Sequence, residues 1–382
     1  MSSAIELDPV IRQTKRNTTS LCAWNASRKS ASFIYQPSIL QHRHFYRLVS
    51  IKREKDSAQG ILIFTVNQPS KTCLYVAAGR ALGAREPDES IRNPDYLAER
   101  LLGPVERAMV ADQAVVQALE LDFAEARKNI EALSSAIMMI IRTRFIEERL
   151  AQAIRDGVSQ VVILGAGFDT RAYRLTELLK AARVFEVDQP STQDYKKLRI
   201  QETGIEVPPN LTYVPIDFRH DKLADVLSSA GYDSTRKTFF IWEGVTMYLP
   251  EEAVEETLRW VAAQATGSTI IFDFMGAMIV KFMATADLST FPEAAQKAFD
   301  RLRKLTAGEP WIFGIPDDGE REFLNKLGLE LRELLPVGGE ESMKRYLTRS
   351  DGTPYITIPP AQQQAQARRG GYCLAEAVVP VR

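Results

Sequence analysis

The amino-acid sequence predicts an α/β fold: a doubly wound, mostly parallel, seven-stranded sheet with an antiparallel edge and an N-terminal helical cap. Three observations predict it. Short β-branched or aromatic runs alternate with segments of helical apolar spacing between Gln160 and Phe274, which implies a parallel sheet covered by helices on both faces. Several helical segments precede the first of these runs, and two further apolar runs close the chain. No internal repeat is evident.

The composition is that of a globular protein, with 45% hydrophobic and 25% charged residues among 382. A formal net charge of −1 and a pI near 6.4 give no global electrostatic reason to bind nucleic acid or an anionic membrane, and neither is expected as a partner. Three cysteines without CxxC spacing and three histidines offer no familiar zinc or iron ligand set, and no metal is expected. The most apolar window, Ala132 to Ile141, is too short for a bilayer span of about 20 residues, and no apolar signal segment opens the chain. A reduced, cytoplasmic protein is the expectation.

Residues 1–65 form a basic extension. Between Pro9 and Arg53 there is no Asp or Glu, while Arg12, Lys15, Arg16, Arg28, Lys29, Arg43, Arg47, Lys52 and Arg53 are cationic. Such a segment is a disordered arm or, less simply, an organelle transit segment. His42 and His44 within it carry no metal pattern. The remaining 66–382 are expected to form one catalytic domain. Its helical cap, 66–157, contains SKTCLYVAAGRALGAREPD, PDYLAERLLGP and the long run from Met109 to Ile154, with Gly103-Pro104 as a break.

The core, 158–276, begins with QVVIL (160–164), followed by RVFEV (183–187), LTYVPI (211–216), TFFIW (238–242) and STIIFDF (268–274). RAYRLTELLKAA and EEAVEETLRWVAAQA lie between them with helical spacing. A helical stretch, 277–328, follows. The last section, 329–382, holds LELRELLPV (329–337) and YCLAEAVVPV (372–381), two strands placed to pair antiparallel at one edge.

Ligands of open α/β sheets bind at the carboxyl ends of strands where strand order reverses. The first strand leads into Gly165-Ala166-Gly167, then Phe168-Asp169-Thr170. A dinucleotide site would want a third glycine at Thr170 and no acid beside the pyrophosphate, so NAD and FAD are disfavoured. A nucleoside ligand without phosphates meets no such objection. S-adenosylmethionine is the common one, and its positive sulfonium and zwitterionic end tolerate nearby carboxylates.

Asp188 ends the second strand, where an acid can accept both ribose hydroxyls; Glu186, two residues earlier, reads as a supporting group. Asp217 ends the third strand and can accept from an adenine amino group, with the Phe218 N–H toward a ring nitrogen; the plain alternative is a helix N-cap. Glu243 emerges from an aromatic strand and therefore needs a cationic partner, which the cofactor's ammonium or sulfonium side would supply. Tyr248 follows as a candidate for catalysis or for packing. His220 sits on the adenine side, which disfavours it as a general base.

LGAGFDTRAYRL, FEVDQP, the YVPIDF strand end and WEGVTMYL together resemble the leucine carboxyl methyltransferase-like family of S-adenosylmethionine-dependent O-methyltransferases. The resemblance runs from about Lys71 to the C-terminus. It implies a Rossmann-like methyltransferase sheet, with Gly165 and Gly167 under the cofactor's methionine portion, Asp188 on the ribose, Asp217 with Phe218 on the adenine, and Glu243 near the amino group. It also implies that Arg142, with Thr143 in IIRTRFIEE, holds the cofactor carboxylate, a contact that suits arginine. Tyr75 and Arg80 become candidate lid contacts, and the resemblance implies that the insertion 277–328 walls the substrate side. The expected activity is methyl transfer to a carboxylate or acidic hydroxyl, of a small metabolite or of a protein C-terminus; a non-catalytic binding protein on the same fold is the remaining alternative.

Overall fold

The computed structural model describes residues 69–217, 220–287, 289, 291–356 and 371–381. The basic extension read from residues 1–65 lies outside the described residues, as does Phe218. Seven strands form one sheet: β1 (Gln160–Leu164), β2 (Arg183–Asp188), β3 (Leu211–Pro215), β4 (Thr238–Trp242), β5 (Thr269–Met275), β6 (Glu330–Pro336) and β7 (Tyr372–Val378). Their order is β3-β2-β1-β4-β5-β7-β6. The first five run parallel, whereas β7 is antiparallel to both of its neighbours, β5 and β6. The doubly wound sheet with a mixed edge is thus the one expected, with β7 inserted inside β6.

Both faces of the central strands are covered, which is why their sequences read as continuous apolar runs. Val162, Leu164, Phe185, Val187, Phe240, Trp242, Ile270 and Phe272 belong to one buried core with Val254, Leu258 and Val261 of the Glu251–Ala262 helix. The alternating set Val161, Ile163, Val184, Phe239, Ile241 and Ile271 is buried as well. Truncating any of the core phenylalanines to Ala is worth about 3–5 kcal/mol in such a setting.

The cap is built on two helices, α1 (Lys71–Ala84) and α2 (Ile130–Arg155). Gly79 and Gly83, one turn apart on α1, let them approach closely: a Cβ on Gly79 would lie 2.7 Å from Met139 Cγ, and one on Gly83 would lie 3.0 Å from Ile140 Cγ1. Asn129 caps α2 by accepting from the N–H groups of Glu131 and Ala132. The run from Met109 to Ile154 is therefore divided, with short helices at Ala114–Ala118 and Phe123–Ala126 ahead of α2. The insertion is likewise divided into Ala277–Thr285, Glu293–Leu305 and Glu320–Lys326. Among the described residues, no helix is long and apolar enough to cross a membrane.

Candidate cofactor site

Strand order reverses between β1 and β4, so the crevice expected for a ligand opens at their carboxyl ends. Register decides what stands there. Leu164 pairs with Val187 on one side and with Trp242 on the other, and Trp242 pairs with Phe272. Continuing each strand by one residue sets Asp188, Gly165, Glu243 and Asp273 in a row across the sheet's edge. All four strands present the same side at that level, because side-chain direction alternates along a strand.

The glycine turn begins with the Gly165 and Ala166 N–H groups donating to the Val187 carbonyl, at 2.8 and 3.1 Å. Gly165 (φ 65°) and Gly167 (φ 43°) both take left-handed backbone conformations. A side chain at Gly165 would meet Val245 Cγ2 at 2.5 Å, and one at Gly167 would meet Cys73 Sγ at 3.0 Å. Burial pushes the Cys73 thiol up to about 12, with the Asp188 carboxylate adding to the effect. The thiol stays protonated and unreactive.

Asp188 closes the turn from the β2 side. One carboxylate oxygen accepts from the Gly167 N–H and the other from the Gln189 N–H, at 2.7 Å for the latter. Burial raises its pKa against those two bonds. Glu186, the supporting group of the sequence reading, is 1% exposed and paired with Lys196 Nζ at 2.7 Å. Asp217 follows β3, joined to Asp188 through the Ile216 N–H, which donates to the Asp188 carbonyl at 2.9 Å. The Asp217 carbonyl accepts from the His220 and Asp221 N–H groups, at 2.9 and 2.8 Å, and among the described residues the next helix starts at Leu223, with Lys222 as its N-cap. His220 is exposed on the turn beyond it.

Glu243 meets its cations within the protein. Its Oε1 lies 2.7 Å from Arg142 Nη2 and its Oε2 lies 2.7 Å from Arg171 Nη1. Burial alone would raise this carboxyl, but Arg142 and Arg171 overcome it and hold the pKa at about 2. The cationic partner expected of Glu243, for which the cofactor's ammonium or sulfonium side would serve, is supplied within the protein by two arginines, Arg142 from α2 and Arg171 from the segment after β1. Arg142 itself is 3% exposed, in keeping with the apolar IMMII flank that precedes it.

These pairs belong to a longer chain of buried charges. Asp273 contacts Arg142 Nη1 at 3.2 Å; Asp169 and Glu147 contact Arg171; Arg174 bridges Glu147 and Asp95; and Asp95 accepts from Arg80 Nε at 2.8 Å. Four arginines thus alternate with five carboxylates, leaving one formal negative charge in excess within the chain of pairs, to which Asp188 in the same row adds another. That balance favours a cationic ligand over an anionic one. Asp169, the acid that is foreign to a phosphate loop, accepts from the Arg171 N–H at 2.7 Å and pairs with its guanidinium.

Sequence reasoning placed Tyr75 and Arg80 as lid candidates. Tyr75 instead bonds Ser135 within the cap, at 2.6 Å. Arg80 is an anchor: besides Asp95 it donates from Nη2 to the Phe168 carbonyl at 2.7 Å, tying α1 to the glycine turn. A lone arginine within the small-residue run AAGRALGA was the signal available. Tyr248 is half-buried between Trp311 and Thr72, and burial raises its phenol. Asp273 and Tyr372 were not singled out from sequence, because both sit inside runs that read as core strand.

Residues 73–262 match the family model described as leucine carboxyl methyltransferase. A “Putative S-adenosyl-L-methionine-dependent methyltransferase” of Mycolicibacterium vanbaalenii is 32% identical over 288 residues, covering 70% of this chain and 89% of its own length. A protein of the same name from Mycobacterium avium is 35% identical over 212 residues, covering 54% of this chain and 67% of its own. The crystal structure of a “putative methyltransferase” from Thermobifida fusca YX has 16% identity and a TM-score of 0.45, covering 82% of this chain and 96% of that one.

Proposed function

Because this chain belongs to the leucine carboxyl methyltransferase-like family of S-adenosylmethionine-dependent methyltransferases, we propose that it methylates a carboxylate or acidic hydroxyl of a small molecule such as a natural product. The observation that carries the reading is the row Asp188, Gly165, Glu243 at the reversal of strand order, with Arg142 beneath it.

The residues present suit S-adenosylmethionine. The excess carboxylate favours a sulfonium, the left-handed glycines clear the turn of side chains, and Arg142 Nε is buried without a hydrogen-bond partner. In this reading Arg142 holds the cofactor carboxylate, Glu243 the ammonium, and Asp188 the ribose hydroxyls. Gly165 and Gly167 underlie the methionine portion, and Asp217 with Phe218 takes the adenine. When bound, the cofactor supplies a methyl carbon already activated by the sulfonium, so the protein's work is alignment and exclusion of water.

The acceptor side supports an oxygen that is acidic on its own. Tyr248 is a neutral phenol pushed further from ionisation by burial, so it can donate a hydrogen bond but is a poor base. His220 is exposed beyond the adenine-side strand end. The helix Ala277–Thr285, which follows β5 directly, has the apolar sequence AMIVKFMAT, with Met278 66% exposed. Phe282 packs edge to face with Phe291 and Phe299 beside it. An apolar acceptor body suits that wall.

Incubating the protein with methyl-labelled S-adenosylmethionine and cell extracts, followed by mass spectrometry of labelled products, tests the reading. A small product labelled on oxygen is expected; label released by mild alkali marks an ester, and retained label an ether. Label on a protein C-terminus would replace the small-molecule acceptor with the family's namesake chemistry. Label on nitrogen or carbon would contradict O-methylation.

A further inference from the structure

Asp273 is wholly buried near the end of β5, and Tyr372 opens β7 beside it. Asp273 pairs with Leu374 and Met275 with Tyr372, so the acid and the phenol are diagonal neighbours on one face. The Tyr372 hydroxyl donates to Asp273 Oδ2 and accepts from Arg142 Nη1 at 2.8 Å. The other Asp273 oxygen accepts from the Gly244 N–H at 2.7 Å, which fixes the turn that follows Glu243.

An arginine offers five N–H donors in a rigid fork. Here Nη2 is taken by Glu243, and Nη1 by Asp273 and Tyr372. Nε alone is buried with no partner. A donor left unmade inside a protein is costly. The Nε atoms of Arg149, Arg171 and Arg303 share the condition, and what singles out Arg142 is its place beside Glu243 at the reversal of strand order, where a ligand is expected.

We propose that Asp273 and Tyr372 are positioning residues for Arg142, fixing the Nη1 edge of its guanidinium so that Nε is reserved for the carboxylate of the bound cofactor. The inference rests on S-adenosylmethionine being the cofactor. It predicts a selective effect: disturbing the pair weakens recognition of the carboxylate and leaves recognition of the sulfonium, ribose and adenine unchanged.

Calorimetric titration of the full chain with S-adenosylmethionine and with its decarboxylated analogue separates these. Tyr372→Phe keeps the ring and removes the hydroxyl. It should weaken S-adenosylmethionine about tenfold and the decarboxylated analogue less than about twofold. Asp273→Asn, which keeps the volume but offers one acceptor oxygen to three donors, should act in the same selective direction and at least as strongly. Equal weakening of both ligands, or of neither, would overturn the assignment. So would a wild-type protein that binds the two ligands equally well, a result needing no variant to fold. Failure of the wild type to bind either ligand would instead overturn the cofactor reading itself, and the assignment with it.

Discussion

Glu243 and Arg142 form a nearly buried ion pair at 2.7 Å, with side chains 10% and 4% exposed, and Arg171 holds the second Glu243 oxygen at the same distance. Removing the charge leaves two buried guanidinium groups facing each other without the carboxylate between them. Glu243→Gln should therefore destabilise the fold by about 3 kcal/mol in urea titration. It should also weaken S-adenosylmethionine more than Asp169→Asn does, because Asp169 contacts only Arg171 of the two. Equal losses by calorimetry would put the cofactor's amino group elsewhere.

The same pair sets a pH dependence. Folding lowers the Glu243 pKa from 4.5 to about 2, so the unfolded chain binds more protons at this group over that interval. The stabilisation is fully present above about pH 4.5 and is lost as pH falls toward about 2, amounting to about 3 kcal/mol. Wild-type stability should fall more steeply over this range than that of Glu243→Gln. Parallel curves would contradict the assignment.

Gly165→Ala forces φ 65° on an L side chain and sets its Cβ 2.5 Å from Val245 Cγ2, a branched side chain with little room to retreat. A loss of at least about 2 kcal/mol is expected. Gly167→Ala, at φ 43° with the Cys73 thiol 3.0 Å away, should lose less. Chemical denaturation of both variants gives the ranking, and a reversed order would refute it.

Arg80→Met removes the anchor between α1 and the glycine turn and leaves Asp95 with Arg174 as its remaining cation. About 3 kcal/mol should be lost. Arg80→Lys should recover only part of it, because one ammonium cannot reproduce a fork that reaches both Asp95 and the Phe168 carbonyl. Full recovery in Lys would show that charge alone matters.

The strands were legible because burial on both faces writes each as an uninterrupted apolar run, and Gly165, Asp188 and Glu243 were legible because each follows such a run directly, with Gly167 two residues further on. The partners of Glu243 were not. Arg142 and Arg171 reach it from separate elements, and an isolated sequence shows that a buried carboxylate needs a cation without showing which one arrives. Asp273 was hidden for the opposite reason: within STIIFDF it looks like one polar residue in a core strand, and only its register with Glu243 sets it in the row at the strand ends. Arg80 shows a third limit. Helical spacing tells which face of α1 is buried, not that the glycine turn is what buries it. The insertion of β7 between β5 and β6 is set by long-range pairing that no local pattern encodes.

Equilibrium titration of S-adenosylmethionine into the wild-type protein and into Asp188→Ala measures whether the row at the strand ends holds the cofactor. Saturable one-to-one binding to the wild type and at least about tenfold weaker binding to the variant are expected, through loss of the carboxylate proposed to accept the ribose hydroxyls. Indistinguishable binding to the two proteins, or none to the wild type, would contradict that reading of the row.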